Sequence, residues 1–342
     1  MNAELEKLYK GENLTSAETK KIFAELFAGK MDPVVLGSLL TALKMNGYTS
    51  EEIGGAAVAM IEAAEPFERN HAIEVSEIVG TGGDCLNTVN ISTMAGILCA
   101  TLGLHVAKHG NTAVSSKSGA SDVLTALGYD IRCSKALTLK NLEENGFAFF
   151  FAQSYHKGMR FAGPVRKALG TSTIFNILGP LTNPARVDYE LLGCYDPSLL
   201  ETLARAMRLT GVKRGLVVNG NGMDEISCFG TTKVAELHED GSIESYELCN
   251  EDFGIVGRFN QKMLEGLDAP YNAQVAREIL GGAGSEAISA AVAANAAAML
   301  YLAGKYPSLK EGYRISRECL KSGKALKRLQ TVCATSQAAS DQ

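Results

Sequence analysis

Apolar residues recur at helical spacing through the first third of the chain, between clear start and stop signals. A Thr-x-x-Glu capping box at Thr15 precedes the first apolar stripe, and Gly29 is placed to end that helix. A second amphipathic segment begins at Asp32, and a third begins at another capping box at Thr49. We therefore predict three short helices and expect residues 1–67 to form a small helical domain.

Beyond about residue 74 the pattern changes to short β-rich apolar runs that alternate with helical segments. These runs lie at 78–79, 106–107, 147–151, 190–195 and 215–218. Such alternation predicts a mostly parallel central sheet covered by helices, so the fold class is α/β with residues 68–342 as the larger domain. Ligands of such sheets bind beyond the carboxyl ends of the strands, which directs attention to the loops that follow them.

Composition narrows the class of protein. With 46% hydrophobic and 21% charged residues, the chain is an ordinary globular protein. A net charge of −5 argues against a general nucleic-acid binder, so cations that hold a phosphate must be local. The eight cysteines show no zinc-type spacing and suit a reducing compartment. We expect a cytoplasmic protein with no membrane contact, in which the alanine-rich residues 287–302 form a buried helix.

A glycine-rich loop, GTGGD at 80–84, follows the first predicted strand and precedes the helix start NIST at 90–93. Glycines let a backbone approach an anion closely, and a helix start offers free N–H groups. A tight turn with a cap at Ser92 would explain the glycines alone. The polar set of Asp84, Asn90, Ser92 and Thr93 is larger than a cap requires, which favours an anion site.

Three further polar segments follow predicted strands. KHGN at 108–111 leads into a Ser-rich segment with a lysine, which suits a phosphate or a solvated loop equally well. Asp224 and Glu225 lie in a Gly-rich loop where two carboxylates can converge on Mg²⁺, although acidic pairs are also common on surfaces. Arg166 suits a planar carboxylate, and a solvated helix face is the alternative.

Taken in order, these segments resemble the anthranilate phosphoribosyltransferases. The matching motifs are GTGGD, NIST, KHGN with AVSSKSG, PVRKALG, TIFNILGPLTNP and GMDEIS, spread over residues 80–227. The resemblance implies transfer of the phosphoribosyl group of 5-phosphoribosyl 1-diphosphate to the amine of anthranilate in tryptophan biosynthesis. It also implies a nucleoside phosphorylase-like fold, a contribution of about 168–190 to the helical domain, and a homodimer paired through that domain.

The resemblance also implies roles for individual residues. Those expected around phosphoribosyl diphosphate are Gly80, Gly83, Asp84, Thr88, Asn90, Ile91, Ser92, Thr93, Lys108, His109, Gly110, Asn111, Thr112, Ala113, Val114, Ser115, Ser116 and Ala120. Gly80, Asn111 and Arg166 would contact anthranilate, with His109, His156 and Pro180 nearby. Ser92, Asp224 and Glu225 would hold Mg²⁺. No residue is obliged to act as a general base, because the aryl amine attacks in its neutral form.

The chain departs from the commonest family pattern at several positions. Cys85 stands where a third loop glycine is frequent, and Thr112 and Ser172 stand where arginines are frequent. Gln153 replaces a frequent proline, and Ala120-Ser121 reverses a frequent Ser-Ala pair. We expect Lys117 or Lys157 to offset the two missing cations.

Two other functions fit parts of the sequence. A pyrimidine-nucleoside phosphorylase would share the architecture and a phosphate loop but would need no acidic metal pair. A non-catalytic relative that binds nucleic acid would show a basic surface and a degraded metal motif. The acidic balance and the intact Asp224-Glu225 pair favour the transferase over both.

Overall fold

A computed structural model describes residues 3–112 and 118–339. Four helices come first: α1 Ala3–Tyr9, α2 Ser16–Phe27, α3 Pro33–Asn46 and α4 Ser50–Glu62. The capping boxes at Thr15 and Thr49 form as predicted, each with reciprocal side-chain bonds to the backbone. The sequence predicted three of these helices. It missed α1, which has only seven residues and buries Leu5 and Leu8.

Seven strands form one mixed sheet in the order β3-β2-β1-β4-β5-β6-β7. The strands are β1 Val75–Gly80, β2 His105–Gly110, β3 Phe147–Phe151, β4 Tyr189–Gly193, β5 Arg214–Gly220, β6 Thr232–Leu237 and β7 Ile243–Leu248. β1 to β5 are parallel, and β6 and β7 are antiparallel additions at one edge. The predicted fold class, a small helical domain with a larger, mostly parallel α/β domain, is therefore confirmed.

Helices connect and cover the strands. They are α5 Ile91–Thr101, α6 Ala120–Leu127, α7 Lys135–Asn145, α8 Ala152–Tyr155, α9 Met159–Leu169, α10 Phe175–Leu178, α11 Leu200–Leu209, α12 Asn250–Phe253, α13 Ala269–Leu280, α14 Glu286–Leu302, α15 Leu309–Lys321 and α16 Lys324–Ser336. Short 3-10 turns lie at Pro180–Thr182, Pro197–Leu199 and Gln261–Leu264. α14 is the buried alanine-rich helix that the sequence predicted. In the described part of the chain, no helix has both the length and the apolarity needed to cross a bilayer.

Each face of the sheet has its own hydrophobic core. Along β3, Phe147, Phe149 and Phe151 enter one core, whereas Ala148 and Phe150 enter the other. The first core is closed by the helices that include α5 and α14. The second is closed by the N-terminal helices together with α9, α10 and α11. The N-terminal helices are thus fixed to one face of the sheet by a continuous apolar contact.

One later segment of the chain returns to the N-terminal helices. α9 packs against α2 and α3, and the turn Pro180–Thr182 packs against α4. α9 begins at Met159, before the expected residue 168, and the domain boundaries at 67 and 168–190 stay predictions. Asn183 anchors the returning segment, because its Nδ2 donates to Glu77 Oε2 and to the carbonyl of Ala107, both at 2.7 Å.

Candidate active site

Two adjoining cavities lie at the carboxyl ends of the parallel strands. The first, which we call the polar cavity, has a volume of about 310 Å³ and is lined by residues 79–85, 108–112 and the Asp224-Glu225 pair, among others. The second, the Arg166 cavity, has a volume of about 790 Å³. The two share the glycine loop 79–83 and residues 109–111. A ligand in one cavity would therefore touch a ligand in the other.

Three strands end in glycine where the acidic pair crosses the edge of the sheet. A Cβ on Gly80 would overlap the Asp224 carboxylate, and one on Gly193 would overlap the Asp224 carbonyl. A Cβ on Gly220 would overlap the carbonyl of Glu225. Since β1, β4 and β5 all end this way, the loop can lie directly on the strand ends. The absence of side chains at these glycines sets the position of both carboxylates.

The acidic pair is held by backbone donors from the loops predicted to bind phosphate. The Gly82 N–H donates to Asp224 Oδ2 at 2.7 Å, and the Ser92 N–H donates to Glu225 Oε1 at 3.0 Å. α5 begins after Asn90, whose side chain makes no capping bond. A cap at Ser92, the alternative considered from sequence, is therefore wrong. Ser92 lies in the first turn of α5 and joins it to the acidic pair.

The carboxylates of the polar cavity favour a bound cation. Burial and the nearby Asp84 carboxylate raise the pKa of Asp224, while burial and Asp224 itself raise the pKa of Glu225. Asp84 Oδ2 is buried and receives no hydrogen bond from a described donor. Within residues 3–112 and 118–339, no three His, Cys, Asp or Glu side chains could hold a metal by themselves. A Mg²⁺ ion here would thus need oxygens from a substrate as well, as is usual for this ion.

Lys108 lies beneath the cavity and is only 2% exposed. Its Nζ donates to the carbonyl of Ile78 at 2.8 Å and to Ser92 Oγ at 3.1 Å. Burial lowers the pKa of Lys108, and the carboxylates of Glu77, Glu225 and Asp224 oppose that shift. The lysine thus links the end of β1 to the first turn of α5, near the acidic pair.

His109 lines both cavities and packs against His156, which lines the Arg166 cavity, with the ring centroids 5.0 Å apart. Burial lowers the pKa of His109 to about 3 and that of His156 to about 4, so both rings are neutral at pH 7. His109 Nδ1 lies 3.2 Å from the carbonyl of Gly179, which can only accept a hydrogen bond. Nδ1 therefore carries the proton, and Nε2, which has no partner among the described groups, is left as an acceptor.

Arg166 supplies the positive charge of the second cavity. Its guanidinium stacks 5.3 Å from the centre of the Phe175 ring, and burial lowers its pKa. Among the described residues, no carboxylate lies within ion-pair distance of Arg166. The walls include His156, Met159, Phe175, Pro180 and Tyr195. A half-buried arginine beside an aromatic wall suits a flat ligand that bears a carboxylate.

The structure gathers most of the residues singled out from sequence. Those that line the polar cavity are Gly80, Gly83, Asp84, Thr88, Asn90, Ser92, Lys108, His109, Gly110, Asn111, Thr112, Ala120, Asp224 and Glu225. Gly80, Asn111 and Arg166, expected at anthranilate, line the Arg166 cavity. Ile91 and Thr93 line neither, because they are buried in the first turns of α5. Ala113, Val114, Ser115, Ser116 and Lys117 lie outside the described residues.

The structure shows the surroundings of Cys85 and Ser172, which depart from the expected family pattern, and of Lys157, which was expected to offset a missing cation. Lys157 lines the Arg166 cavity, yet its ammonium is 2.7 Å from Glu65. Ser172 lies beside another cation, because Lys44 Nζ donates to its carbonyl at 3.0 Å and to its Oγ at 3.2 Å. Cys85 is exposed with φ of 59°, a backbone conformation that favours glycine. Whether Lys157 offsets the missing cations stays a prediction.

Sequence reasoning missed several residues of this site. Gly193 and Gly220 went unnoticed, although a glycine that ends an apolar strand was the available signal. Tyr195 lines the Arg166 cavity, and no motif pointed to it. Gln153 was noticed only as a departure from the family, but its Nε2 donates to Asn111 Oδ1 at 3.0 Å.

Known families and relatives match this chain over nearly its whole length. Residues 4–64 match the family described as "Glycosyl transferase family, helical bundle domain", and residues 73–326 match "Glycosyl transferase family, a/b domain". Anthranilate phosphoribosyltransferase of Tolumonas auensis is 48% identical, with 95% of this chain and 96% of the relative covered. That of Psychromonas ingrahamii is 46% identical, with 97% of each covered.

Solved structures agree with these relatives. The chain is similar to a crystal structure of anthranilate phosphoribosyltransferase from Thermus thermophilus, with a TM-score of 0.93, 41% identity, and 99% of this chain and 100% of the other covered. It is also similar to the Saccharomyces cerevisiae enzyme in complex with PRPP and Mg, with a TM-score of 0.88, 28% identity, and 98% and 97% covered. Sequence motifs, fold and relatives together show that this chain belongs to the anthranilate phosphoribosyltransferase family.

Proposed function

We propose that the protein transfers the phosphoribosyl group of 5-phosphoribosyl 1-diphosphate to the amine of anthranilate, giving N-(5-phosphoribosyl)anthranilate and diphosphate, a step of tryptophan biosynthesis. One observation carries the proposal. The polar cavity, lined by carboxylates and a glycine loop, adjoins the Arg166 cavity, whose arginine has no described carboxylate partner. The two cavities share residues 79–83 and 109–111. The donor would occupy the polar cavity and the acceptor the Arg166 cavity.

The donor side has to stabilise a diphosphate as it leaves the ribose C1. Asp224 and Glu225, with Ser92 beside them, would hold Mg²⁺, which supplies charge stabilisation on the phosphate oxygens when bound. Lys108 adds a buried positive charge next to the same carboxylates. The loop glycines allow close approach of the donor, because Gly82 and Gly83 have φ of 67° and 85°. These features support assigning the diphosphate to this cavity.

The acceptor side, the Arg166 cavity, has to orient the amine of anthranilate while the amine stays neutral. Arg166 would bind the carboxylate of anthranilate, with Phe175 behind the guanidinium. His109 lines both cavities, and its Nε2 is a buried neutral acceptor without a described partner, so it would take a hydrogen bond from an amine that displaces the neighbouring side chains. A pKa of about 3 makes this ring a weak base. We therefore assign His109 to orientation of the amine.

The test is loss of anthranilate fluorescence on addition of phosphoribosyl diphosphate, with and without Mg²⁺, for the parent and Asp224→Ala. We expect a loss that depends on Mg²⁺ in the parent and is nearly abolished in the variant. Absence of any Mg²⁺-dependent loss in the parent would contradict the proposal. Release of a free base from thymidine or uridine with inorganic phosphate would instead indicate a nucleoside phosphorylase.

A homodimer paired through the helical domain belongs to the same proposal. Two large apolar side chains of α3 are strongly exposed in the single chain, Val34 at 81% and Met45 at 79%. Burial of these side chains against a second copy would remove them from water. Sedimentation equilibrium of the parent and Val34→Glu is the test, with a monomeric parent as the contradicting result. The cytoplasmic location and the absence of nucleic-acid partners stay predictions.

A further inference from the structure

Gln153 contacts Asn111 and, together with the backbone N–H of Thr112, holds one end of the Asn111 amide in place. It lies in the short helix α8 after β3, and Asn111 follows the neighbouring strand β2. β2 and β3 pair in parallel, with Gly110 opposite Phe151, so the two side chains leave the same edge of the sheet. Both residues line the Arg166 cavity. Gln153 Nε2 donates to Asn111 Oδ1 at 3.0 Å.

The orientation of both amides follows from one unambiguous donor. The backbone N–H of Thr112 lies 2.8 Å from the same Asn111 atom, and a backbone N–H can only donate. That atom must therefore be the carbonyl oxygen of the asparagine. The atom that Gln153 presents to it must then be its amide nitrogen. Asn111 Nδ2 is the remaining end, and among the described groups none accepts a hydrogen bond from it.

We propose that Gln153 is a positioning residue that holds Asn111 with its NH₂ toward the acceptor, so that the pair selects for the carboxylate of anthranilate. This inference rests on the proposed function. A donor at this point favours an acceptor group on the substrate, and Arg166 on another wall favours the same group.

The decisive variant is Gln153→Glu, which keeps the size and removes the donor. A carboxylate beside Asn111 attracts its NH₂ and repels its carbonyl, so it competes with the Thr112 N–H bond and favours the turned amide, which presents an oxygen to the cavity. We expect KM for anthranilate to rise about tenfold, since one hydrogen bond to a charged group is lost and a repulsion is gained. KM for phosphoribosyl diphosphate should change by less than about twofold. Gln153→Leu, which only removes the bond, should raise KM for anthranilate about threefold.

A second ligand separates positioning from general damage. In 2-aminobenzamide a carboxamide, which can donate, replaces the carboxylate of anthranilate. We expect its inhibition constant against anthranilate to stay constant or fall in Gln153→Glu while KM for anthranilate rises. Equal changes for both ligands would overturn the inference, as would no change for either. The readout is the ratio of KM for anthranilate to the inhibition constant of 2-aminobenzamide. In an Asn111→Ala background, Gln153→Glu should have no further effect on this ratio. An undiminished effect there would also refute the proposal.

Gln330→Glu is the matched control, because it makes the same substitution on an exposed position of α16, remote from both cavities. It should leave all constants within about twofold of the parent. The experiment also distinguishes the two proposals. A parent that consumes no anthranilate refutes the function and this inference together. A parent that turns over normally, with an unchanged ratio in Gln153→Glu, refutes the inference alone.

Discussion

The two cavities differ in their ionisable side chains: carboxyl groups predominate in the polar cavity, and a guanidinium lies in the Arg166 cavity. Among the described residues that line the polar cavity, three carry carboxyl groups (Asp84, Asp224 and Glu225) and one is a lysine, Lys108. In the Arg166 cavity, a guanidinium has no described carboxylate partner. Because burial raises the pKa values of Asp224 and Glu225, a cation in the first cavity would hold both carboxyls ionised and offset their charge before a diphosphate binds, whereas the second cavity can accept an anion directly. We infer that metal dependence belongs to the donor side alone.

The largest effect is expected on the donor side. Asp224→Asn removes one negative charge while keeping the shape, so the cation loses a ligand and the leaving diphosphate loses stabilisation. We expect kcat to fall by about 10²–10³-fold, the range seen when one group that stabilises developing charge is removed. Initial rates at saturating anthranilate and varied Mg²⁺ measure this. Glu239→Gln, an exposed residue remote from both cavities, is the control and should be unaffected. A variant as active as the parent would refute the metal assignment.

The next effect is expected on the acceptor side and should leave the metal dependence unchanged. Arg166→Lys keeps the charge but loses the planar donor pair, so KM for anthranilate should rise about 10- to 100-fold. The Mg²⁺ concentration for half-maximal rate should stay within about twofold. Arg205→Lys, on an exposed face of α11, is the matched control. If Arg166→Lys changed the Mg²⁺ dependence as much as KM for anthranilate, the two cavities would not be separable.

A smaller effect concerns stability and pH. The folded pKa values of Asp224 and Glu225 are raised, to about 7 and about 8. Stability from such groups is fully present below their ordinary pKa of about 4 and is lost as the pH rises through the raised values. Without ligands, the parent should lose Tm relative to Asp224→Asn by a few degrees between pH 5 and 9. Scanning calorimetry measures this, and a constant Tm difference over that range would contradict the electrostatic account.

The smallest effect concerns the loop residue that departs most from the family. Cys85 has φ of 59°, which costs a non-glycine residue roughly 1 kcal/mol. Cys85→Gly should therefore raise the free energy of unfolding by up to about 1 kcal/mol, less the greater entropy of glycine in the unfolded chain. Urea titration measures this. Cys249→Gly, at the N-cap of α12 with φ of −125°, should not stabilise. Equal effects of both substitutions would rule out backbone strain at Cys85.

The difference between the cavities also explains what could be predicted from sequence. The polar cavity is built from loops that directly follow β1, β2 and β5, so glycines, hydroxyls and acids after apolar runs were sufficient to find it. The Arg166 cavity combines such loops with α9 and α10. Arg166 itself came from a motif, but the place of Tyr195 and the contact between Gln153 and Asn111 depend on which segments become neighbours. The antiparallel strands β6 and β7 were missed because they carry no motif and lie at the edge of the sheet.

Gly80, Gly193 and Gly220 show how a position without any reactive atom can constrain where acidic side chains lie. Each lies where an added methyl group would collide with the loop that carries Asp224 and Glu225. Natural variants at these three positions would therefore resemble loss of the acids themselves, even though the glycines lack side chains that could bind a ligand. In surveys of natural variation or directed evolution, intolerance at Gly193 would be a signature of carboxylate placement. A search for site residues that considers only side chains with functional groups would overlook Gly193.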